Sequence, residues 1–176
     1  MISFEEAYRV ILHNATALEN KKVNLQELNH HVLAEDVTAD RDMPPFYKSA
    51  VDGYACYSPR EGQELEVLET ISAGIKPQFR IKPGTASKIM TGAEVPSGAD
   101  TVVMVENTDI ANNGKVRVQR TDSKSNIANK GEDFQQGDII LRKGTIIKPQ
   151  HIAVLAAVGF ESPLVSKKPR VNIVTT

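Results

Sequence analysis

The apolar residues near the start of the chain recur with helical spacing. They fall on one face of a helix over residues 3–14: Phe4, Ala7, Tyr8, Ile11 and Leu12. Ser3 and Glu6 complete a capping box, in which each side chain accepts a hydrogen bond from a backbone amide of the first turn. The pattern therefore predicts an amphipathic helix whose apolar face packs within the subunit or against a partner.

A second, shorter helix is predicted over residues Gln26–Ala34. Helical spacing turns Leu28 and Leu33 inward and leaves His30 and His31 exposed. Adjacent residues on a helix diverge by about 100°. The two histidines are therefore not predicted to act together as an acid–base pair.

The C-terminal part of the chain predicts one more helix and one strand. Pro149 opens the helix, because a proline costs least in the first turn, where its missing N–H would have no helical partner. Gly159 is placed to cap the end of this helix. The segment Val171–Thr176 has the apolar, β-branched composition of a buried strand.

Between these helical segments the pattern changes to short runs rich in Val, Ile and Thr, separated by Gly, Pro, Asn and Ser. The predicted strands are Tyr54–Tyr57, Glu66–Ile71, Ala86–Met90, Thr101–Glu106, Lys115–Val118 and Asp138–Leu141. Asn112-Asn113-Gly114 predicts a hairpin, since Asn-Gly suits a type I′ turn. Short, evenly spaced strands favour a small β-barrel or sandwich over βαβ units.

The change of pattern begins at a double proline, Pro44-Pro45. Neither proline can donate a backbone hydrogen bond, so the pair interrupts both helices and strands. We therefore predict an α+β, mostly β chain, in which a β domain over residues 44–141 is inserted into a helical domain. The helical domain is formed by residues 1–43 and 142–168.

Composition and charge argue against several classes of protein. The chain has 21 basic and 22 acidic residues and a formal net charge of −1, whereas nucleic-acid binding calls for a basic excess. The longest apolar run, Ile152–Phe160, is shorter than the roughly 20 residues of a membrane span, and the acidic N-terminus does not resemble a signal peptide. Cys56 is the only cysteine, so no internal disulfide can form and a reducing cytoplasm is the expected location.

Three loops place a small polar or acidic side chain beside a glycine: Asp52-Gly53, Thr91-Gly92 and Gly131-Glu132-Asp133. A glycine opens backbone conformations closed to other residues and brings main-chain amides close to a ligand. The pattern indicates either one binding site divided among three loops or three ordinary β-turns, because turns use the same residue types.

The acidic and hydroxyl side chains of these loops each have two interpretations. A carboxylate at Asp52 can bind Mg²⁺, which takes one or two protein carboxylates together with phosphate oxygens, or it can cap a turn. Thr91 has a hydroxyl that can donate to a phosphate, and it also fits a turn that ends a strand. Glu132 is expected to pair with a surface base and Asp133 to point the other way, while Asp100 is expected to be a solubilising residue at a strand end.

The loops belong to a longer series of motifs. In chain order these are Pro44-Pro45-Phe46, Ser49-Ala50-Val51-Asp52-Gly53-Tyr54-Ala55, Ala73-Gly74, Ile89-Met90-Thr91-Gly92-Ala93, Pro96, Gly98-Ala99-Asp100, Glu106, Gly131-Glu132-Asp133, Gly137-Asp138, Gly144 and Pro169-Arg170-Val171. The series closely resembles the N-terminal half of the molybdopterin molybdenumtransferase family, the MoeA type that also forms the E domain of gephyrin. Val51 and Glu94 depart from the pattern, since the family usually has Met and often has Pro at those places.

The resemblance implies a function and a set of site residues. Enzymes of this family take adenylated molybdopterin and molybdate, use Mg²⁺, leave molybdenum on the dithiolene and release AMP. The residues implied to be catalytic are Asp52, Thr91 and Asp133. Those given as cofactor-binding are Ser49, Gly53 and Gly92, and those given as metal-binding, for Mg²⁺, are Asp52 and Asp133.

The resemblance also implies how the protein assembles. The helical domain is then a linker and dimerisation domain, and residues 169–176 begin an α/β domain that continues in the family. The catalytic pocket is shared between the β domain of one subunit and the third domain of its dimer mate. A homodimer is therefore expected, and the chain by itself is expected to be inactive, because it lacks the other wall of the pocket.

A non-catalytic scaffold is the main alternative, since gephyrin-like relatives use the same fold to bind receptor segments. A scaffold would present an exposed apolar groove for a partner peptide, whereas an enzyme would present convergent carboxylates beside an open cleft. The three polar loop residues favour the enzyme. A plain ligand-binding β module is a more distant third alternative.

Overall fold

The structure is a computed structural model that describes residues 2–111, 114–121 and 123–175. The chain divides into two compact units, a middle unit of residues 41–136 and a flanking unit of residues 1–40 and 137–176. The domain bounds predicted from the sequence, 44–141 between 1–43 and 142–168, stay a prediction.

The described residues form mainly short strands, with two α-helices and two 3₁₀ turns. The helices are α1 (Phe4–Asn14) and α2 (Pro149–Ala157), and the 3₁₀ turns are Leu25–Glu27 and Val105–Asn107. The strands are β1 (Asn20–Lys22), β2 (Val37–Thr38), β3 (Lys48–Ser49), β4 (Gly53–Cys56), β5 (Glu64–Ile71), β6 (Thr85–Ile89), β7 (Thr101–Met104), β8 (Thr108–Ile110), β9 (Lys115–Val118), β10 (Ile127–Ala128), β11 (Ile139–Leu141) and β12 (Leu164–Ser166). The mostly β character predicted from the sequence is confirmed.

A six-stranded sheet in the order β7-β4-β6-β5-β9-β8 builds the middle unit. Only β5 and β6 pair in parallel among these strands. In a flat sheet the two outer strands of six would lie about 24 Å apart. The chain joins them through one 3₁₀ turn, and the four residue steps from Met104 to Thr108 reach at most about 14 Å. The sheet is therefore curled, which agrees with the barrel-like prediction.

The alternation of side chains along the strands divides the core of this unit into two clusters. Tyr54 and Cys56 of β4 point to one face of the sheet, and Ala55 points to the other. The first cluster consists of Tyr54, Cys56, Leu65, Ala86, Val103, Val116 and Val118. The second consists of Ala55, Ile71, Ile89, Ala93 and Val102. Burial on both faces holds β4 and β6 in the centre of the sheet.

The first helix of the flanking unit is confirmed. Ser3 Oγ accepts a hydrogen bond from Glu6 N at 3.2 Å, as the capping box predicts. None of the α1 residues is buried, and Phe4 on the apolar face is 79% exposed. The apolar face of α1 therefore has no packing partner among the described residues.

The last helix is also confirmed, with Pro149 in its first turn. Gly159 adopts a φ of 71°. Its N–H donates to Ala156 O at 3.2 Å, and Phe160 N–H donates to Leu155 O at 2.9 Å. These two bonds form the Schellman motif expected where a glycine ends a helix.

The helix predicted over Gln26–Ala34 is wrong. Only a 3₁₀ turn forms at its start, and the following backbone pairs with distant segments, since His30 N–H donates to Ile147 O and Leu33 N–H to Thr145 O. His31, predicted to be exposed, is 6% exposed. Tertiary pairing has overridden the helical spacing.

The buried strand predicted over Val171–Thr176 is wrong for its described part. Residues 171–175 form no strand, and Ile173 is 87% exposed. A buried strand needs neighbours on its edges and faces, and the part of the chain that the structure describes supplies none here. Thr176 lies outside the described residues.

The six predicted strands correspond to β4, β5, β6, β7, β9 and β11, with ends shifted by at most two residues. The strand predicted as Thr101–Glu106 ends at Met104, because a 3₁₀ turn begins at Val105. The hairpin partners β8 and β9 pair as expected, with Ile110 opposite Val116. The turn residues Asn112 and Asn113 lie outside the described residues. In the described ranges no helix is both long and apolar enough to cross a membrane.

Candidate active site at the Asp52 and Thr91 loops

Two of the predicted site residues, Asp52 and Thr91, are in direct contact across 39 positions of sequence. Both the backbone N–H and the hydroxyl of Thr91 donate to Asp52 Oδ1, at 2.6 and 2.8 Å. These two bonds, with a smaller contribution from the charge of Lys88, hold the pKa of Asp52 below its ordinary value of 3.8. Asp52 is therefore an exposed, ionised carboxylate at neutral pH.

The central strand of the sheet fixes the position of Asp52. Gly53, the next residue, begins β4, and a Cβ atom there would lie 2.0 Å from Val103 O on the neighbouring β7. The backbone carbonyl of Asp52 also accepts a hydrogen bond from Val105 N at 3.1 Å. A glycine at position 53 thus lets β7 approach closely and anchors the carboxylate at the strand end.

The Thr91 loop reaches Asp52 because β6 lies beside β4. Ile89, at the end of β6, pairs with Gly53. Gly92 follows Thr91 with a φ of 83°, a left-handed conformation that a glycine adopts without steric cost. Gly92 N–H donates to Ser49 O at 2.9 Å, which turns the loop back over β3.

The polar groups of Ser49, Gly53 and Gly92 are used inside the protein. Ser49 is fully buried, and its hydroxyl donates to Val51 O at 2.6 Å. Gly53 lies in the β-ladder, and the Gly92 amide donates to Ser49. These residues therefore shape the two loops, and the ligand contacts assigned to them from the sequence stay a prediction.

Asp133 lies on a segment that runs antiparallel to the one containing Ser49. Ile127 pairs with Ser49 at one end of this arrangement, and Phe134 bridges to Met43 at the other. Asp133 N–H donates to Met43 O at 3.0 Å. Asp133 is thus at the Met43 end of the pairing, and its grouping with Asp52 and Thr91 in one site stays a prediction.

The carboxylates around Asp133 are used to fix loops. Asp42 accepts from Gln136 N at 2.9 Å and pairs with Lys130 at 3.2 Å, and the bond from Gln136, followed by Lys130, lowers the pKa of Asp42. Glu132, expected to pair with a surface base, accepts from Asn129 N at 2.7 Å. It is a turn residue in this structure.

Asp52 is a carboxylate that fits a magnesium ion, and the metal-binding role predicted for Asp133 stays a prediction. Both Thr91 bonds end on Oδ1, so Oδ2 is open to a cation. Mg²⁺ commonly takes one or two carboxylates and completes its shell with water and substrate oxygens. Nowhere in the described ranges do three or more His, Cys, Asp or Glu side chains form a group that could hold a metal. An ion at Asp52 would therefore need further oxygen ligands.

The chain following the Thr91 loop lines a cleft of about 520 Å³ within the middle unit. Its lining includes the apolar residues Val95, Ala99 and Ile127 and the acidic residue Asp100. Asp100, expected to be a solubilising residue, accepts from Ser58 N at 2.9 Å and Ser58 Oγ at 3.1 Å. The cleft has the size of a small-molecule site.

The chain is similar to known proteins over nearly its whole length. A family model described as "MoeA N-terminal region (domain I and II)" matches residues 2–159. The chain belongs to this family. Molybdopterin molybdenumtransferases of Bacillus subtilis strain 168 and of Staphylococcus epidermidis are each 39% identical to it over 99% of its length.

Solved structures of MoeA proteins are also similar to this chain. The crystal structure of the molybdopterin biosynthesis moeA protein from Pyrococcus horikoshii OT3 superposes with a TM-score of 0.87 at 36% identity and covers 96% of the chain. The chain spans 43% of the length of the two bacterial relatives and 47% of the archaeal protein. It corresponds to the N-terminal part of these longer MoeA proteins.

Proposed function

We propose that this chain is the N-terminal part of a molybdopterin molybdenumtransferase, which inserts molybdate into adenylated molybdopterin with Mg²⁺ and releases AMP. The contact between Asp52 and Thr91 is the observation that carries the proposal. It brings two family motifs together at an exposed carboxylate whose pKa is lowered. An ionised, oriented carboxylate is what a phosphate-linked Mg²⁺ requires.

In this proposal Asp52 and Thr91 have different roles. Asp52 would hold Mg²⁺, and Thr91 orients the carboxylate through the two bonds to Oδ1. When bound, Mg²⁺ neutralises charge on the phosphates that link AMP to the pterin. Fixed groups that stabilise developing charge contribute to catalysis because they need no reorganisation during the reaction. Asp133 is proposed as a further site carboxylate, and the remaining groups come from the rest of the longer protein.

The test compares two carboxylates with the same local bonding in the full-length protein. Asp52→Asn keeps the shape of the side chain and removes its charge, and we expect AMP release to fall by about a hundredfold or more. Asp100→Asn is the matched control, because Asp100 also accepts one backbone N–H and one hydroxyl, and we expect it to retain most turnover. Equal turnover of Asp52→Asn and the wild type would contradict the proposal.

We also propose that the full-length protein is a homodimer in which α1 packs against a second copy. The helix is amphipathic, and its residues Phe4 and Ile11 are 79% and 66% exposed. An exposed apolar stripe of this kind marks an interaction surface. Ile11→Glu should shift the mass measured by light scattering from dimer to monomer, whereas Arg9→Glu on the opposite, polar face should not. An unchanged mass for Ile11→Glu would refute this role of the helix.

A further inference from the structure

The hydrogen-bond donors of the Asp52 and Thr91 loops are already committed within the protein. Thr91 gives both its N–H and its hydroxyl hydrogen to Asp52, and Gly92 gives its N–H to Ser49. None of these three donors is available to a phosphate oxygen in this arrangement. A phosphate beside the Asp52 carboxylate would also meet a like charge. Binding of a phosphate at this place therefore needs a positive group that the loops do not supply.

The strand register places Lys88 beside these loops. On β6, Ile89 belongs to the second core cluster, so the neighbouring Lys88 projects from the opposite face of the sheet. Lys88 pairs with Tyr54 of β4, which belongs to the first cluster. Asp52 lies in the bend just before β4, two positions ahead of Tyr54.

Lys88 is therefore one ladder step from the Gly53–Ile89 pair, and Asp52 directly precedes Gly53. A lysine side chain is long enough to act across one such step. The positive charge of Lys88 contributes to the low pKa of Asp52, after the two bonds from Thr91. The strand register therefore places Lys88 near the start of β4, and its charge acts on the Asp52 carboxylate.

Among the described residues, the ion pairs Arg117–Glu64, Lys130–Asp42 and Lys167–Glu19 do not involve the ammonium of Lys88. Its directly paired neighbours, Tyr54 and Thr70, carry no carboxylate. The Lys88 side chain is half-buried. It is thus an uncommitted cation, held beside the one exposed carboxylate that Thr91 orients.

We propose that Lys88 is the phosphate-binding group of this site and that its ammonium takes a phosphate oxygen of the ligand while Asp52 carries the metal ion. The proposal rests on the proposed function for the identity of the substrate. The ligand class is a phosphoanhydride or phosphate ester, since a lysine ammonium is a compact charge with three donors that suits phosphate oxygens. In this arrangement Asp52 binds the positive metal ion, and Lys88 binds the negative phosphate that the ion accompanies.

Lys88→Met tests the proposal in the full-length protein, because methionine keeps most of the side-chain length and removes the charge. We expect the KM for adenylated molybdopterin to rise roughly tenfold or more, as for the loss of one charge-assisted hydrogen bond, with a smaller change in kcat. Lys88→Arg keeps the charge and should restore most of the affinity. Lys115→Met on β9, two strands away from β6, is the control and should leave KM unchanged.

A second measurement does not depend on turnover. Inorganic pyrophosphate with Mg²⁺ is titrated into each full-length variant and its binding is measured by calorimetry. The expected result is roughly tenfold weaker binding for Lys88→Met and wild-type binding for Lys115→Met. Unchanged pyrophosphate affinity in Lys88→Met overturns the proposal. If Asp52→Asn retains turnover while Lys88→Met loses pyrophosphate binding, the proposed function fails and the phosphate site stands.

Discussion

Replacing Gly53 by alanine should destabilise the middle unit strongly, although the change adds one methyl group. The new Cβ atom would lie 2.0 Å from Val103 O, 2.9 Å from Val103 C and 3.0 Å from Val102 Cγ1. The first distance is a clash with backbone, which cannot be relieved by turning a side chain. β4 lies between β6 and β7, so Gly53 cannot move away from β7 without disturbing the ladder on its other side.

The cost follows from the movement needed. A normal Cβ to oxygen contact is about 3.2 Å or longer, so β7 must retreat by more than about 1 Å, which breaks an N–H···O bond of ordinary length. The bond from Val105 N to Asp52 O, 3.1 Å long, is next to the clash. Losing one or two such buried bonds costs about 1–3 kcal/mol each. We therefore expect a loss of about 3–5 kcal/mol, a large part of the ~5–15 kcal/mol that stabilises a typical protein.

Urea unfolding followed by circular dichroism measures this loss. Gly74→Ala is the matched control, because Gly74 has a φ of 84° with no atom within 4 Å of the added Cβ. That variant carries only the strain of a left-handed residue, about 1–2 kcal/mol. A Gly53→Ala variant that is no less stable than Gly74→Ala would refute the close-approach explanation.

Two further predictions concern titrating groups in the same unit. Thr91→Val removes the hydroxyl bond to Asp52 and should raise the Asp52 pKa towards 3.8 in an NMR titration, whereas Thr91→Ser should leave it low. A lowered pKa contributes stability that is present above the unfolded-state pKa and is lost as the pH falls through the folded-state pKa. The Thr91→Val variant should therefore lose less stability than the wild type as the pH falls. Burial, followed by the charge of Asp100, raises the pKa of the Cys56 thiol to about 12, so a thiol reagent at pH 8 should label the unfolded but not the native chain. Rapid labelling of native protein would contradict the burial of Cys56.

The sequence predicted those elements whose local signals agree with their tertiary surroundings. The capping box and the apolar stripe of α1 are local, and both ends of α2 are set by Pro149 and Gly159. The longer strands carry enough β-branched residues to be recognised. In residues 26–34 the helical spacing was present, but the backbone of His30 and Leu33 pairs with residues 145–147, and no local signal indicates that partner.

The short strands were missed for a related reason. β3 and β10 have two residues each and exist only because they pair with one another. A two-residue strand has no periodicity to read. The same limit applies to Lys88, because its proximity to Asp52 depends on the register between β4 and β6. The sequence could indicate Asp52 and Thr91 because a polar residue before a glycine is visible without knowing which strands are neighbours.

The pairs Asp52-Gly53 and Thr91-Gly92 look alike in sequence, but their glycines are needed for different reasons. Gly53 is required because backbone of β7 occupies the place of its Cβ atom, whereas Gly92 has open space around it and a φ of 83°. Asp52 is therefore held by a packed ladder, and Thr91 by a turn. A ligand that recruits the donors of Thr91 must take them from Asp52, which would raise the pKa of that carboxylate. Under the proposed function, the ligand would instead bring its own cation to Asp52, and its phosphate would bind Lys88.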